Sequence, residues 1–426
     1  MRAVMPQAAV AAETVAPPFR RDRLIHAFVA VSGLSRAGDM IWTIALAWSA
    51  VHLASAATAG AVIAAGTIPR AVVMLYGGVL ADRVDALRLM RVTNLVRAAV
   101  LLLAAVLMWS GALSVPLLLA VAITFGIADA LYMPSSSTLP RQLVRPGDLP
   151  AFQGAMQTVQ RLGNMGGSVV GGVLVALWGA GTCAALDAAT FLVHAAFLAI
   201  LRPRFPRESP EREPALRALA AGFRHLRRSP TTRALVLTLS GLNLAVTPAL
   251  DLGVALRSAR EGWGAHMVGV AAALVGLGAA IGSLAMVPIK PRRIGLWGFG
   301  LLAVQGGCIA ALGAGGRIPV AAVCVVLGFT AGAASVSLSA LFLSVVDQAY
   351  LGRMSSLTSL GDDALMPLSM AAFGALASVT SASVPFYVYG AAMAGLMVMI
   401  LARPVIRRLR IEAAVTADEV ADPASA

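Results

Sequence analysis

Charged side chains inside apolar stretches are the residues of this chain best suited to chemistry. Arg36 and Asp39 lie three positions apart in one such stretch, and Asp129 and Arg161 lie in two others. A charge at the middle of a bilayer costs at least about 2.5–3.5 kcal/mol, so such residues are functional candidates by default. A carboxyl group buried away from cations binds a proton readily, because burial disfavours its charge. These four residues are therefore candidates for binding and releasing protons.

Closed ion pairs are the competing interpretation of the same four residues. Arg36 and Asp39 share one face of a helix at their spacing, and Asp129 can pair with Arg161. Pairs closed in this way would hold helices together and carry no proton. Sequence alone leaves both interpretations open.

The composition of the chain shows that the helices carrying these residues lie in a membrane and not in water. The chain is 59% hydrophobic and 12% charged, whereas an average soluble domain is about 25% charged. Such a chain cannot cover itself with polar surface in water. Its 426 residues can hold about a dozen membrane-crossing helices of roughly 20 apolar residues each.

Apolar segments occur at twelve places, which are called spans 1 to 12. They are 24–51, 57–80, 90–110, 115–138, 150–178, 182–201, 233–256, 264–288, 294–313, 318–345, 354–379 and 384–403. The spans predict five regions. In chain order they are a cytoplasmic segment 1–23, a six-span half 24–201, a cytoplasmic linker 202–232, a second six-span half 233–403 and a tail 404–426.

The linker and the tail differ in composition. Residues 215–228 place apolar side chains at helical spacing opposite arginines, which is typical of an amphipathic helix on an anionic membrane face. A solvated linker explains the same pattern equally well. The part of the tail after Ile411 is short and acidic, with too little apolar content to fold, so it is predicted to be disordered.

Arginines predict the orientation of the chain. They cluster before span 1, after every even-numbered span and in the linker, whereas the alternate loops hold only Arg257, Arg260 and Arg317. Cytoplasmic loops carry the excess of Lys and Arg, so both termini are predicted to be cytoplasmic. The net charge of +13 is thus explained by topology, and nucleic acid is not an expected partner.

Two groups of residues have spacings suited to conformational change. The loop after span 2 carries Gly78, Asp82, Arg83 and Arg88, in which the carboxylate can accept hydrogen bonds from a helix terminus and the arginines can bind carboxylates or lipid phosphates. Span 5 carries a series of glycines that permits close helix packing. They are Gly154, Gly163, Gly167, Gly171 and Gly172. Gly278 and Gly282 of span 8 are a plausible partner surface.

Both groups resemble patterns of the major facilitator superfamily. The loop matches the family's gating pattern after the second helix, with Asp85 in place of the usual second glycine, as in the drug:proton antiporter branch that includes enterobactin exporters. Span 5 resembles the antiporter pattern, although Ser168 stands where the family has proline. The resemblance implies an all-α integral membrane fold with two six-helix bundles related by pseudo-two-fold symmetry.

In that fold the central cavity is surrounded by spans 1, 2, 4, 5, 7, 8, 10 and 11. The candidate cavity residues are Trp42, Tyr132, Gln157, Asn164, Asp362 and Asp363. Arg70 and Arg97 are expected toward the cytoplasmic side, where they snorkel or pair with the Asp82 loop. Asp187 and His194 share one face of span 6, which permits a proton relay, although capping and packing is the favoured interpretation.

The resemblance implies a secondary transporter in the inner membrane of a bacterium. Such a protein exports small amphipathic organic compounds, such as drugs, antibiotics, siderophores or other secondary metabolites, by proton antiport with alternating access. A proton-linked importer or facilitator, and a non-transporting membrane scaffold, are the alternatives. The expected partners are a small-molecule substrate, protons and membrane lipids, and the chain is expected to be a monomer.

The chain lacks the sequence patterns of several other functions. The chain contains no nucleotide-binding loop, catalytic triad or dinucleotide fingerprint, and its three cysteines lack metal-ligand spacing. A carrier without cofactor or metal is therefore predicted, rather than an enzyme.

Overall fold

The structure is a computed structural model, and it is helical through most of its described length. It describes residues 17–67, 69–70, 73, 85–205, 224, 226, 243–289, 293–345 and 351–402. The backbone alone is described at 134, 287, 343–345, 351–360 and 362–364. Within these ranges the chain forms helices joined by short turns, and no strand occurs. The predicted linker helix lies almost entirely outside the described residues.

The helices of the first half begin at polar capping residues. In chain order they are Arg23–Leu53, Ala56–Ala65, Ala86–Trp109, Val115–Leu143 and Leu149–Ile200. The side chain of Asp22 accepts a hydrogen bond from the backbone nitrogen of Ile25, and Asp85 does the same for Leu87. Such caps satisfy backbone N–H groups that have no partner within the helix, and so fix where it starts.

Helix Leu149–Ile200 contains both span 5 and span 6. Gly179 interrupts it with a φ of 76°, a conformation that glycine adopts without a steric cost. The two arms run antiparallel, because the ring of Phe28 lies 6.4 Å from the ring of Phe152 in the first arm and 6.4 Å from that of Phe197 in the second. The predicted break between spans 5 and 6 is therefore a tight turn at Gly179.

The second half has a corresponding set of helices. They are the π-helix Pro248–Gly253 and the α-helices Val254–Arg260, Ala265–Ile289, Ile294–Leu312, Arg317–Val345, Leu351–Val379 and Val384–Leu401. Arg257 joins the end of span 7 to the turn between spans 9 and 10. Its guanidinium donates to the carbonyl oxygens of Leu312, Ala314 and Gly315.

Seven helices in the described part of the chain are long and apolar enough to cross a membrane. Helix Arg23–Leu53 also has sufficient length, with 31 residues, but it carries Arg36 and Asp39 and is less apolar. Other predicted spans fall partly outside the described residues. The all-helical membrane fold is therefore confirmed, and the count of twelve spans stays a prediction.

The two halves approach each other through small residues. The end of the molecule that holds the Ala54–Ser55 turn and the Gly179 turn is called the distal end. Close to it, a Cβ added at Gly60 of span 2 would lie 2.8 Å from the carbonyl oxygen of Met370 in span 11. Because glycine has no side chain, the backbones of two helices can pack this closely within a membrane.

Candidate functional site

A polar cluster occupies the interior of the first half, and Arg36 links two of its helices. The guanidinium of Arg36 lies 3.7 Å from the carboxylate of Asp39, so these two residues form an ion pair within span 1, which was one of the two interpretations of the sequence. Arg36 also donates through Nε to Oδ1 of Asn164 in span 5, at 2.7 Å. The Arg36 side chain remains 43% exposed and that of Asp39 25% exposed. This ion pair is open to its surroundings.

The partner of Asp129 differs from the prediction. Its carboxylate pairs with the guanidinium of Arg97 in span 3, not with Arg161. Arg97 lies eleven residues into helix Ala86–Trp109, which is about 16 Å along the helix axis at 1.5 Å per residue. The expectation that Arg97 snorkels or binds the Asp82 loop is thus wrong, because the side chain begins too deep in the bundle.

Aromatic rings hold Arg97 in place. Its Cζ lies 5.8 Å from the ring centre of Phe125, 5.1 Å from that of Tyr132 and 5.3 Å from that of Phe191. A guanidinium is attracted to the face of an aromatic ring, more strongly where water is excluded. The Arg97 side chain is only 4% exposed, whereas that of Asp129 is 39% exposed. The pair therefore presents its carboxylate outward and keeps its cation in the core.

Span 5 shows which way the remaining polar side chains point. Gly163 faces Gly33 of span 1, and Gly172 faces Gly269 of span 8. At about 100° per residue, Gln157, Arg161 and Asn164 fall between these two directions. The opposite side of the helix carries exposed apolar residues, namely Leu162, Val169 and Val173. The polar face of span 5 therefore lines the space between the halves.

Arg161 stands apart within this polar face. It is exposed, and it has no hydrogen bond or ion pair with any residue that the structure describes. The predicted Asp129–Arg161 pair does not form, because the Asp129 carboxylate is already bound to Arg97. Among the described residues, Arg161 thus offers an unpaired cation to a ligand that enters the space between the halves.

The predicted cavity residues fall into three groups. Gln157 is exposed, Asn164 binds Arg36, and half-buried Tyr132 packs against Arg97. Trp42 is only 3% exposed and belongs to the apolar core, so it does not line open space in this conformation. The side chains of Asp362 and Asp363 lie outside the described residues.

The predicted gating loop is described only at its end. Gly78, Asp82 and Arg83 lie outside the described residues. Arg88 is exposed in the first turn of helix Ala86–Trp109, and Asp85 caps that helix. The gating role stays a prediction.

Three span 5 glycines pack against span 1 within the same half. A Cβ at Gly163 would lie 2.6 Å from the carbonyl oxygen of Gly33, and one at Gly171 would lie 2.8 Å from Cα of Ile41. Gly167 meets Ala37 between them, 2.8 Å from its Cα. Gly154 has no atom within 4 Å. This packing fixes the spacing between the helices that carry Arg36 and Asn164.

Span 8 does pack against span 5, but not through the two glycines that were predicted to form the contact. Gly278 and Gly282 pack against the backbone of Val325 and Phe329 in span 10, inside the second half. Two other glycines of span 8 meet span 5: the Cα of Gly269 lies 3.0 Å from the Cβ position of Gly172, and the Cβ position of Gly276 lies 2.6 Å from the side chain of Met165. Four-residue spacing shows that a helix face is smooth, but it does not show which neighbour covers that face.

Comparison with known proteins places this geometry in a family. The family profile described as Major Facilitator Superfamily matches residues 28–361. The chain is 30% identical over 348 residues to "Enterobactin exporter EntS" of Citrobacter koseri, covering 77% of this chain and 79% of the relative. It is 30% identical over 300 residues to the protein of that name from Escherichia coli O139:H28, covering 67% and 68%.

Solved structures show the same fold. The peptide transporter POT superposes with a TM-score of 0.73 at 16% identity, covering 95% of this chain and 99% of that one. The nucleoside transporter NupG superposes with a TM-score of 0.69 at 12% identity, covering 91% and 100%. With the profile match over most of its length, the chain belongs to the major facilitator superfamily of membrane transporters.

Proposed function

We propose that this protein exports a siderophore, or a similar small amphipathic organic compound, across a bacterial inner membrane in exchange for protons. Relatives named enterobactin exporters support the direction and the substrate class. The protein would act as a carrier without chemical conversion of its substrate. The structural neighbours at 12% and 16% identity support the fold alone, so they favour neither import nor a particular substrate.

The polar cluster of the first half is the observation that carries proton coupling. Asp39 and Asp129 are both partly exposed, and each is paired with one guanidinium, Arg36 or Arg97. Binding of a proton to either carboxylate breaks its ion pair and leaves the guanidinium without a paired negative charge. A released Arg36 or the free Arg161 can then hold acidic oxygens of a substrate. One site would thereby link proton uptake to substrate binding.

The arrangement fits alternating access between two halves. The two halves approach each other closely at Gly60 and Gly172, near the distal end, and this contact is called the seam. The charge map predicts cytoplasmic termini at the opposite end. In this conformation the substrate would enter from the cytoplasmic side. Rocking of one half against the other would then expose it to the far side.

Proton flux in liposomes tests the proposal. The protein is reconstituted with a pH-sensitive dye in the lumen, and enterobactin and other amphipathic compounds are added. We expect substrate-dependent proton movement in wild type and its loss in Asp39→Asn and Asp129→Asn, with Asp148→Asn as a control. Asp148 lies in the turn before span 5 and accepts a hydrogen bond from the backbone nitrogen of Phe19, at 3.0 Å.

The outcomes separate the parts of the proposal. If no compound moves protons in wild type, antiport is wrong. If both aspartate variants still move protons at the wild-type rate, the coupling residues are wrong and export stands.

A further inference from the structure

Asp187 in the span 6 arm is a buried carboxyl group that the proposed coupling does not use. Asp187 as a whole is 0% exposed. Oδ1 lies over the backbone of span 1 at Gly38, so close that a Cβ on that glycine would collide with it. Oδ2 is buried and has no hydrogen-bond partner among the described residues. Span 1 therefore seals this carboxyl group from the space between the halves.

Asp187 lacks a paired cation among the described residues. The cluster holds three carboxyl groups, on Asp39, Asp129 and Asp187, and two guanidiniums. Arg36 pairs with Asp39 and Arg97 pairs with Asp129, so Asp187 has no paired cation in the part of the chain that the structure describes. Removing an unpaired carboxylate from water costs several kcal/mol, and a group in such a site binds a proton instead.

The other polar groups nearby do not supply that charge. His194 is 2% exposed, and its Nε2 has no partner in the described part of the chain. Its ring lies 6.0 Å from that of Phe28 and 6.3 Å from that of Tyr132. These apolar surroundings disfavour an imidazolium.

The hydrogen bonds of Thr190 are an independent indication that Asp187 is protonated. Its Oγ1 lies 2.8 Å from the backbone oxygen of Asp187 and 3.1 Å from Oδ1 of the same residue. A hydroxyl group has a single proton, so it cannot donate fully to both oxygens. A proton on Oδ1 satisfies both contacts, because Thr190 then donates to the backbone oxygen and Asp187 donates to Thr190.

We propose that Asp187 holds a proton in this conformation and is a third proton-binding residue of the transport cycle. This inference rests on the proposed antiport. Phe191, one turn along span 6, packs its ring against the Arg97 guanidinium, so Arg97 lies between Asp129 and the Asp187 turn. When Asp129 takes up a proton, it releases Arg97, which then stabilises the Asp187 carboxylate. One proton enters at Asp129, and the proton on Oδ1 of Asp187 leaves to water in the conformation in which span 1 has moved away from this carboxyl group.

Infrared spectroscopy tests the protonated state without any substrate. Wild type in a carbonyl-free detergent at neutral pH should show the C=O band of a neutral carboxylic acid. Asp187→Asn should remove this band, whereas Asp39→Asn and Asp129→Asn should keep it. Thr190→Val should shift the band to higher frequency, because the acid loses its acceptor, and Thr190→Ser should leave it in place. If no band depends on Asp187, the inference is overturned.

A transport experiment tests the role in the cycle. Asp187→Asn should lose at least tenfold of the substrate accumulation driven by a pH gradient, and should lose less of the substrate exchange that is measured without a gradient. If Asp187→Asn keeps normal gradient-driven accumulation, Asp187 is a neutral packing residue and the inference fails. Failure of wild type to move protons with any compound would instead overturn the proposed antiport, while the infrared result stays independent.

Discussion

At the scale of single residues, Arg97 organises the polar cluster. Its guanidinium meets three aromatic rings and one carboxylate in the middle of the first half. Removing one partner of a buried pair leaves the other charge uncompensated, which costs more than the pair contributed. The cluster should therefore depend on this arginine more than on the exposed Arg161.

We expect Arg97→Gln to lower the free energy of unfolding by about 3 kcal/mol, near the low end for a broken buried pair because Asp129 is partly exposed. The double variant Arg97→Gln with Asp129→Asn should recover part of this loss, since it leaves no unpaired carboxylate. Thermal unfolding in detergent measures both effects, with Arg161→Gln as the matched control. Equal losses for Arg97→Gln and Arg161→Gln would contradict the assignment.

At the scale of elements, the contact between spans 1 and 5 sets the geometry of the site. Glycines on the span 5 face let the two backbones approach, and this approach brings Asn164 within 2.7 Å of Arg36. Gly166 and Gly167 are neighbours in sequence with opposite surroundings. Gly167 is pressed against Ala37, whereas Gly166 has no atom within 4 Å.

This contrast gives a matched pair of substitutions. Gly167→Ala should destabilise the protein by about 1–3 kcal/mol, because the added methyl overpacks the interface. Gly166→Ala should be neutral or stabilise the protein by up to about 1 kcal/mol, because alanine favours the helix over glycine. Melting temperatures of the two variants measure this difference in stability. A lower melting temperature for Gly166→Ala than for Gly167→Ala would be inconsistent with the packing of Gly167 against Ala37.

At the scale of the whole molecule, the seam at the distal end joins the two halves. Gly374 of span 11 packs against the backbone of Ala56 and Ala57 at the start of span 2, with its Cβ position 3.3 Å from Cα of Ala57. A transporter that alternates access must open this seam in part of its cycle. A large side chain at Gly374 should hold the seam open.

We expect Gly374→Leu to shift the population toward the distally open state and to slow transport. A cysteine introduced by Gln157→Cys reports the change, because the three native cysteines are buried. Labelling of intact cells with a membrane-impermeant maleimide should then increase several-fold. Gly395→Leu is the control, since no atom lies within 4 Å of its Cβ position. Unchanged labelling in Gly374→Leu would argue against the seam as a gate.

The sequence by itself determined the membrane class, the position of the long helices and the family. These depend on local hydrophobicity, capping and short motifs, which act within one segment of chain. The Arg36–Asp39 pair was predictable for the same reason, since both residues lie on one helix. Tertiary structure alone decided that Asp129 binds Arg97 and that Gly269, not Gly278, meets span 5. Partners on different helices depend on how each helix is rotated and how deep it sits, and residue spacing along the chain does not specify either.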